Sequence, residues 1–175
     1  MFANFYQLTL RASLEIKSAW MKTEMMHLNL LLAWLWILLG FVSGMMLGMF
    51  FRDEKWLGGY ASFRRRMYRL AHISFFGLGA VNLLFWLTTR NFPTTGLRIH
   101  LASLAFIVGA LTMPVCCVVM AHFPKAHFIF AVPVVSLILG GVLMLALIVH
   151  ESKVPDTANT TSESINHELT TINSP

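Results

Sequence analysis

The apolar residues of this chain gather into four long stretches, about Leu28 to Phe51, Met67 to Thr89, Leu97 to Ala121 and His127 to Val149, parted by short polar segments. Each has at least the roughly 20 residues that an α-helix needs to cross a hydrocarbon core of about 30 Å. Asn91, Pro93 and Gly96 predict a turn between the second and third stretches, and Phe123-Pro124-Lys125 a tighter one between the third and fourth. Links this short make successive helices antiparallel, so the expected fold is an all-α integral membrane protein, an up-down-up-down four-helix transmembrane bundle. Trp34, Trp36, Phe50, Phe51, Trp56 and Tyr60 around the first span, and Tyr68, Trp86 and Phe92 around the second, read as interfacial aromatics.

Two segments lie outside that pattern. In residues 1–26, Arg11, Glu15, Lys17, Lys22 and Glu24 interrupt any signal-peptide h-region. Within residues 4–20, Phe5, Leu8, Leu10, Leu14, Ile16 and Trp20 allow a short amphipathic helix on the membrane surface. Met21, Met25 or Met26 as the true start is the alternative. The tail, 151–175, is rich in Ser, Thr and Asn, has no apolar period and is expected to be disordered.

Composition agrees with the spans. With 57% hydrophobic and 12% charged residues, the 175-residue chain has too little polar surface for a soluble protein. The formal charge of +5 does not imply nucleic acid, because the basic residues flank the apolar stretches instead of lining a soluble face. Arg52, Lys55, Arg64, Arg65, Arg66 and Arg69 crowd the link between spans one and two, which places that loop in the cytoplasm and both termini outside, in a bacterial inner membrane. Concentration decides this orientation, since Arg11, Lys17, Lys22, Arg90, Arg98 and Lys153 fall on the other side.

Small residues mark where helices touch. Gly40, Gly44 and Gly48 form a double G-x-x-x-G; Ala102, Ala105, Gly109, Thr112 and Cys116 form a stripe in span three, and Ser136 and Gly140 repeat the device in span four. These predict packing within the bundle, with association to a second copy or to other membrane subunits through Gly40, Gly44 and Gly48 as the sharper alternative. Pro114 removes a donor in mid-span and frees a carbonyl near Ala110, and Pro133 does the same one and a half turns into span four. Asn82 is too costly to face lipid, so it is expected to hydrogen-bond across the bundle.

Histidine carries the candidate chemistry. Alternate threading gathers His72, His122 and His127 near one membrane face and His27, His100 and His150 near the other, with His167 in the tail. His72 lies inside span two on the face of Phe76, Gly79 and Asn82, where an unpaired imidazole is expensive. Met45, Met46, Met49, Met67, Met120, Cys116 and Cys117 approach the same end. Imidazole, thioether and thiolate are copper(I) ligands, and two imidazoles from facing helices suit haem iron. His72, His122, His127, Cys116 and Met120 are thus the candidate metal set, with haem b or copper as cofactor. A packed, hydrogen-bonded His72 is the structural reading, and a proton or ion relay a third.

Other chemistries are excluded. No carboxylate lies within a span, which argues against a carboxylate relay or an aspartyl protease, and no G-x-S-x-G, Walker or dinucleotide motif occurs. Four spans without an inverted repeat argue against an ordinary secondary transporter. The segment from Arg64 through His72 into Gly77, Gly79, Asn82 and Phe85, with Met113-Pro114-Val115-Cys116, resembles small uncharacterised bacterial four-span inner-membrane proteins. The layout is also similar to that of small membrane proteins associated with haem-copper oxidase assembly, which carry histidines near helix ends. The functional expectation is a non-catalytic accessory or assembly subunit of a membrane complex; the alternative is a haem b- or copper-binding protein using His72 with His122 or His127.

Overall fold

The computed structural model describes residues 2–90 and 96–151, and within residues 2–23 chiefly the backbone. Among the described residues it is helical throughout, without strands: α1 (Phe2–Phe50), a 3-10 turn at Trp56–Gly58, α2 (Phe63–Thr89), α3 (Leu97–His122), a 3-10 segment at Pro124–Phe130 and α4 (Ala131–Glu151). The turn expected at Asn91 and Pro93, the aromatic Phe92 and the tail with Lys153 and His167 lie outside the described residues.

Contacts fix the direction of each helix. Falling numbers on α1 meet rising numbers on α2, since Gly44 faces His72, Gly40 faces Phe76, and Asn29 bonds Asn82. The same antiparallel progression joins α2 to α3, through Tyr68 with His122 and Phe85 with Phe106, and α3 to α4, through Gly109 with Leu137 and Phe106 with Gly140. Parallel α1 and α3 meet where Ser103 donates to Asn29 and Trp36 to Ala110. No comparable seam joins α1 to α4, so the ring of four stays open on that side and α3 is the most enclosed helix.

Glycines make the seams close. A Cβ on Gly40 would lie 2.8 Å from the Phe76 ring, on Gly44 2.7 Å from His72, on Gly109 2.6 Å from Leu137 and on Gly140 2.9 Å from Phe106. Each is a hole that a large side chain of the neighbouring helix fills, the close approach that small residues permit between apolar helices. Gly48, the third member of the α1 motif, meets nothing within 4 Å.

Pro114 and Pro133 free carbonyls that side chains then occupy. Pro114 has no N–H for Ala110, and the Trp36 indole donates to that oxygen at 3.1 Å. Trp36, expected at the interface, is instead 8% exposed in the core beside Leu78 and Ala110. An indole N–H buried in an apolar interior needs an acceptor, and the proline supplies one. Pro133 stands in the first turn of α4, not deeper in the helix, and the Cys116 thiol lies 3.5 Å from Ile129 O, the carbonyl that Pro133 cannot engage.

The backbone of the N-terminal segment is helical and continuous with the first span, because no Pro or Gly precedes Gly40 to stop the helix. At 1.5 Å per residue α1 is about 73 Å long. The outer faces of α1 and α4 are apolar, with Leu31, Phe41, Val135 and Leu145 all exposed. Four helices, covering Glu24–Phe50, Phe63–Thr89, Leu97–His122 and Pro124–His150, are long and apolar enough to cross a membrane.

Candidate functional site at the loop end of the helices

The link from α1 to α2 is built around Arg65. Ser62 caps α2 by accepting from Arg65 N at 3.2 Å, and its hydroxyl donates to Leu57 O at 2.7 Å. To reach that position the chain holds three successive positive φ angles, at Leu57 (55°), Gly58 and Gly59. Glycine accepts this freely, whereas leucine in the left-handed region is strained by about 1 to 2 kcal/mol. The Arg65 guanidinium is 1% exposed, donates through Nη2 to Phe51 O and packs against the rings of Tyr60 (4.4 Å), Phe51 (4.9 Å) and Trp56 (5.7 Å). Its Nε and Nη1 are buried without a partner. Sequence pattern alone grouped Arg65 with the basic residues that set orientation. The structure separates it from them: Arg52, Lys55, Arg64 and Arg66 are exposed, whereas Arg65 is the centre of an aromatic cage.

His72 sits one layer deeper, half-buried. Its Nδ1 lies 3.0 Å from Ser43 Oγ, and Ser43 Oγ lies 3.1 Å from Gly40 O. One hydroxyl serves both contacts when Ser43 donates its hydrogen to Gly40 O and its oxygen accepts from His72 Nδ1–H. The ring also meets Phe76 edge-on. His72 lines a cavity of about 270 Å³ with Met46, Phe50, Trp56, Tyr68 and Val118, whose walls are almost wholly apolar.

His122 opens on a different cleft. This is about 410 Å³, lined by Leu57, Ser62, Arg64, His122 and Pro124 among others. His122 Nε2 lies 3.0 Å from the Tyr68 hydroxyl, so Tyr68 stands between the two histidines. His127 is exposed in the 3-10 segment beside Phe128, Met120 is half-buried, and Cys116 is engaged with Ile129 O next to the buried Cys117. Among the described residues, no three His, Cys, Asp or Glu side chains come together to hold a metal. Of the expected set, His72 and His122 line different clefts, Cys116 lies in the seam against Ile129 O, and His127 and Met120 line neither cleft.

A second polar cluster lies toward the opposite ends of α1 and α2. Asn29 and Asn82 are fully buried; Asn29 Nδ2 donates to Asn82 Oδ1 at 2.8 Å, Ser103 donates to Asn29, and Asn82 Nδ2 returns to Leu78 O at 2.9 Å. Asn82 thus bonds across the helices. Its partners Asn29 and Ser103 escaped the sequence reading, although Asn29 is the other amide within an apolar span. Tyr68 and Ser43, which hold the two histidines, were missed because nothing in spacing along one helix shows what the next helix presents.

No family model, curated protein or solved structure matches the chain. The resemblance drawn above therefore rests on the quoted residues alone.

Proposed function

We propose that this chain is a non-catalytic accessory or assembly subunit of a complex in a bacterial cytoplasmic membrane, with residues 52–66 in the cytoplasm and both termini outside. The observation that carries this reading is the fate of the interior polar groups. Asn29, Asn82 and Ser103 bond one another, Trp36 and Cys116 cap carbonyls freed by proline, and Ser136 bonds Ala105 O. Groups so engaged bind helices together. Gly40 and Gly44 are filled by α2, so of that motif only Gly48 stays open to a second copy or another subunit.

The reading is tested on tagged protein expressed from its own locus and extracted from native membranes in mild detergent. It should migrate in a defined complex heavier than its own 19.8 kDa, with no Soret band and no stoichiometric copper. A lone chain carrying haem or copper would replace this proposal with the cofactor alternative at His72.

A further inference from the structure

The two clefts at the loop end lie side by side. Leu57 lines one and Trp56 the other, and the same division runs through the Tyr68–His122 hydrogen bond, with His122 on the first cleft and Tyr68 on the second. Their linings differ in chemistry. The first holds Arg64, His122 and Ser62; the second is walled by Met46, Leu47, Phe50, Phe75 and Val118. We propose that together they bind one anionic membrane lipid, its phosphate in the Arg64–His122 cleft and the start of an acyl chain in the apolar cleft.

Charge supports a phosphate. The Arg64 side chain has no ion-pair or hydrogen-bond partner among the described residues, and Lys55, Arg66 and Lys125, which belong to the same end of the helices, are exposed as well. A basic pocket between membrane helices at the cytoplasmic surface is a recurrent place for an anionic headgroup. With the Tyr68 hydroxyl donating to Nε2, His122 keeps its Nδ1–H as a donor. The adjoining apolar cleft selects a lipid over free phosphate, since each methylene it takes from water adds to affinity. Trp56 and Tyr68 place that cleft at the height of an interfacial aromatic belt.

The wall between the clefts is preformed. Leu57 is held in its left-handed conformation by Ser62 and by the cage around Arg65, so the loop need not be ordered at the moment of binding. Strain maintained on a residue that lines a cleft has a physical use if that cleft receives a ligand. This inference does not depend on the accessory-subunit reading.

Native mass spectrometry of the full chain, delipidated in uncharged detergent, tests it with phosphatidylglycerol and phosphatidylcholine of identical chains. One phosphatidylglycerol should be retained, about tenfold more strongly than phosphatidylcholine. Arg64→Gln, at an exposed position where folding is not at stake, should reduce retention about five- to tenfold, as should Val118→Trp, which fills the apolar cleft. Arg52→Gln, outside both clefts, should leave it unchanged, and melting without lipid verifies that each variant is folded. Equal retention of the two lipids, or wild-type retention by Arg64→Gln, would overturn the proposal. So would displacement of phosphatidylglycerol by millimolar inorganic phosphate, which would mark a free-phosphate site.

Discussion

Gly44 and Gly48 are one helical turn apart and identical in sequence, yet they have opposite surroundings. A side chain on Gly44 must displace the His72 ring and the Ser43 bond that positions it, whereas one on Gly48 enters open space. Gly44→Leu should therefore lower stability by about 1 to 3 kcal/mol, the usual cost of overpacking a tight seam, and Gly48→Leu should change it by less than about 0.5 kcal/mol. Thermal melting of both variants in one detergent checks the contrast, and equal losses would mean that the α1–α2 seam is misplaced. Arg65 poses a different question, because its charge is buried without a carboxylate. Its stabilisation comes from three aromatic rings and one carbonyl, and a desolvated cation–π contact contributes about 2 kcal/mol. Replacement by Met keeps the length and apolar stem but loses the cation and its hydrogen bond. Arg65→Met should loosen the loop without unfolding the helices, so limited proteolysis should cut within residues 52–61 faster than in wild type while the helical circular dichroism is retained.

At the scale of elements, Pro114 and Pro133 are each paired with a donor from a different helix. If Trp36 and the carbonyl freed by Pro114 are coupled, their substitutions are not additive. Trp36→Phe leaves Ala110 O without a donor and should cost about 1 kcal/mol in the native background. In a Pro114→Ala background the restored N–H at 114 satisfies that carbonyl within α3, and the same Trp36→Phe change should cost less. A double-mutant cycle measured by melting in detergent reads the difference, and additive losses would show that the indole bond contributes nothing. The helices themselves were legible from hydropathy, because span length and short links leave few alternatives. Where α1 begins was not, since the polar residues before Glu24 contain no helix breaker and a helix continues through them. The freed Ala110 carbonyl was also legible, because it follows from the missing N–H four residues on. Its donor was not, since Trp36 reads equally as an interfacial aromatic until α1 is laid against α3. The histidines illustrate the same limit. Alternate threading gathers them at one end, but whether two imidazoles share a cavity depends on side chains such as Tyr68 that come between them.

The whole molecule has two unlike ends, and this asymmetry makes its orientation testable. Arg52, Lys55, Arg64, Arg65, Arg66, Arg69 and Lys125 all belong to the end where the α1–α2 loop meets the start of the 3-10 segment. A concentrated basic end of a multi-span chain stays cytoplasmic. The continuity of α1 adds a consequence for the other end: residues before Glu24 extend the same helix away from the basic loop, so the proposed topology puts Lys17 on the opposite side from Lys55. Thiol labelling can read this in intact cells, because both native cysteines are buried in α3 and should react slowly. His150 is exposed at the far end of α4 and Lys55 is exposed in the loop, so neither substitution disturbs a seam. A membrane-impermeant maleimide should label His150→Cys from outside, and Lys55→Cys only after the cells are opened. The reverse pattern would invert the orientation. It would also move the proposed lipid site to the outer leaflet, where anionic headgroups are available in a bacterial membrane but the charge rule that points to the cytoplasmic face would have failed. Labelling of both positions from outside would break the spanning assignment itself, since an odd number of crossings must separate residue 55 in the first loop from residue 150 at the end of the fourth helix.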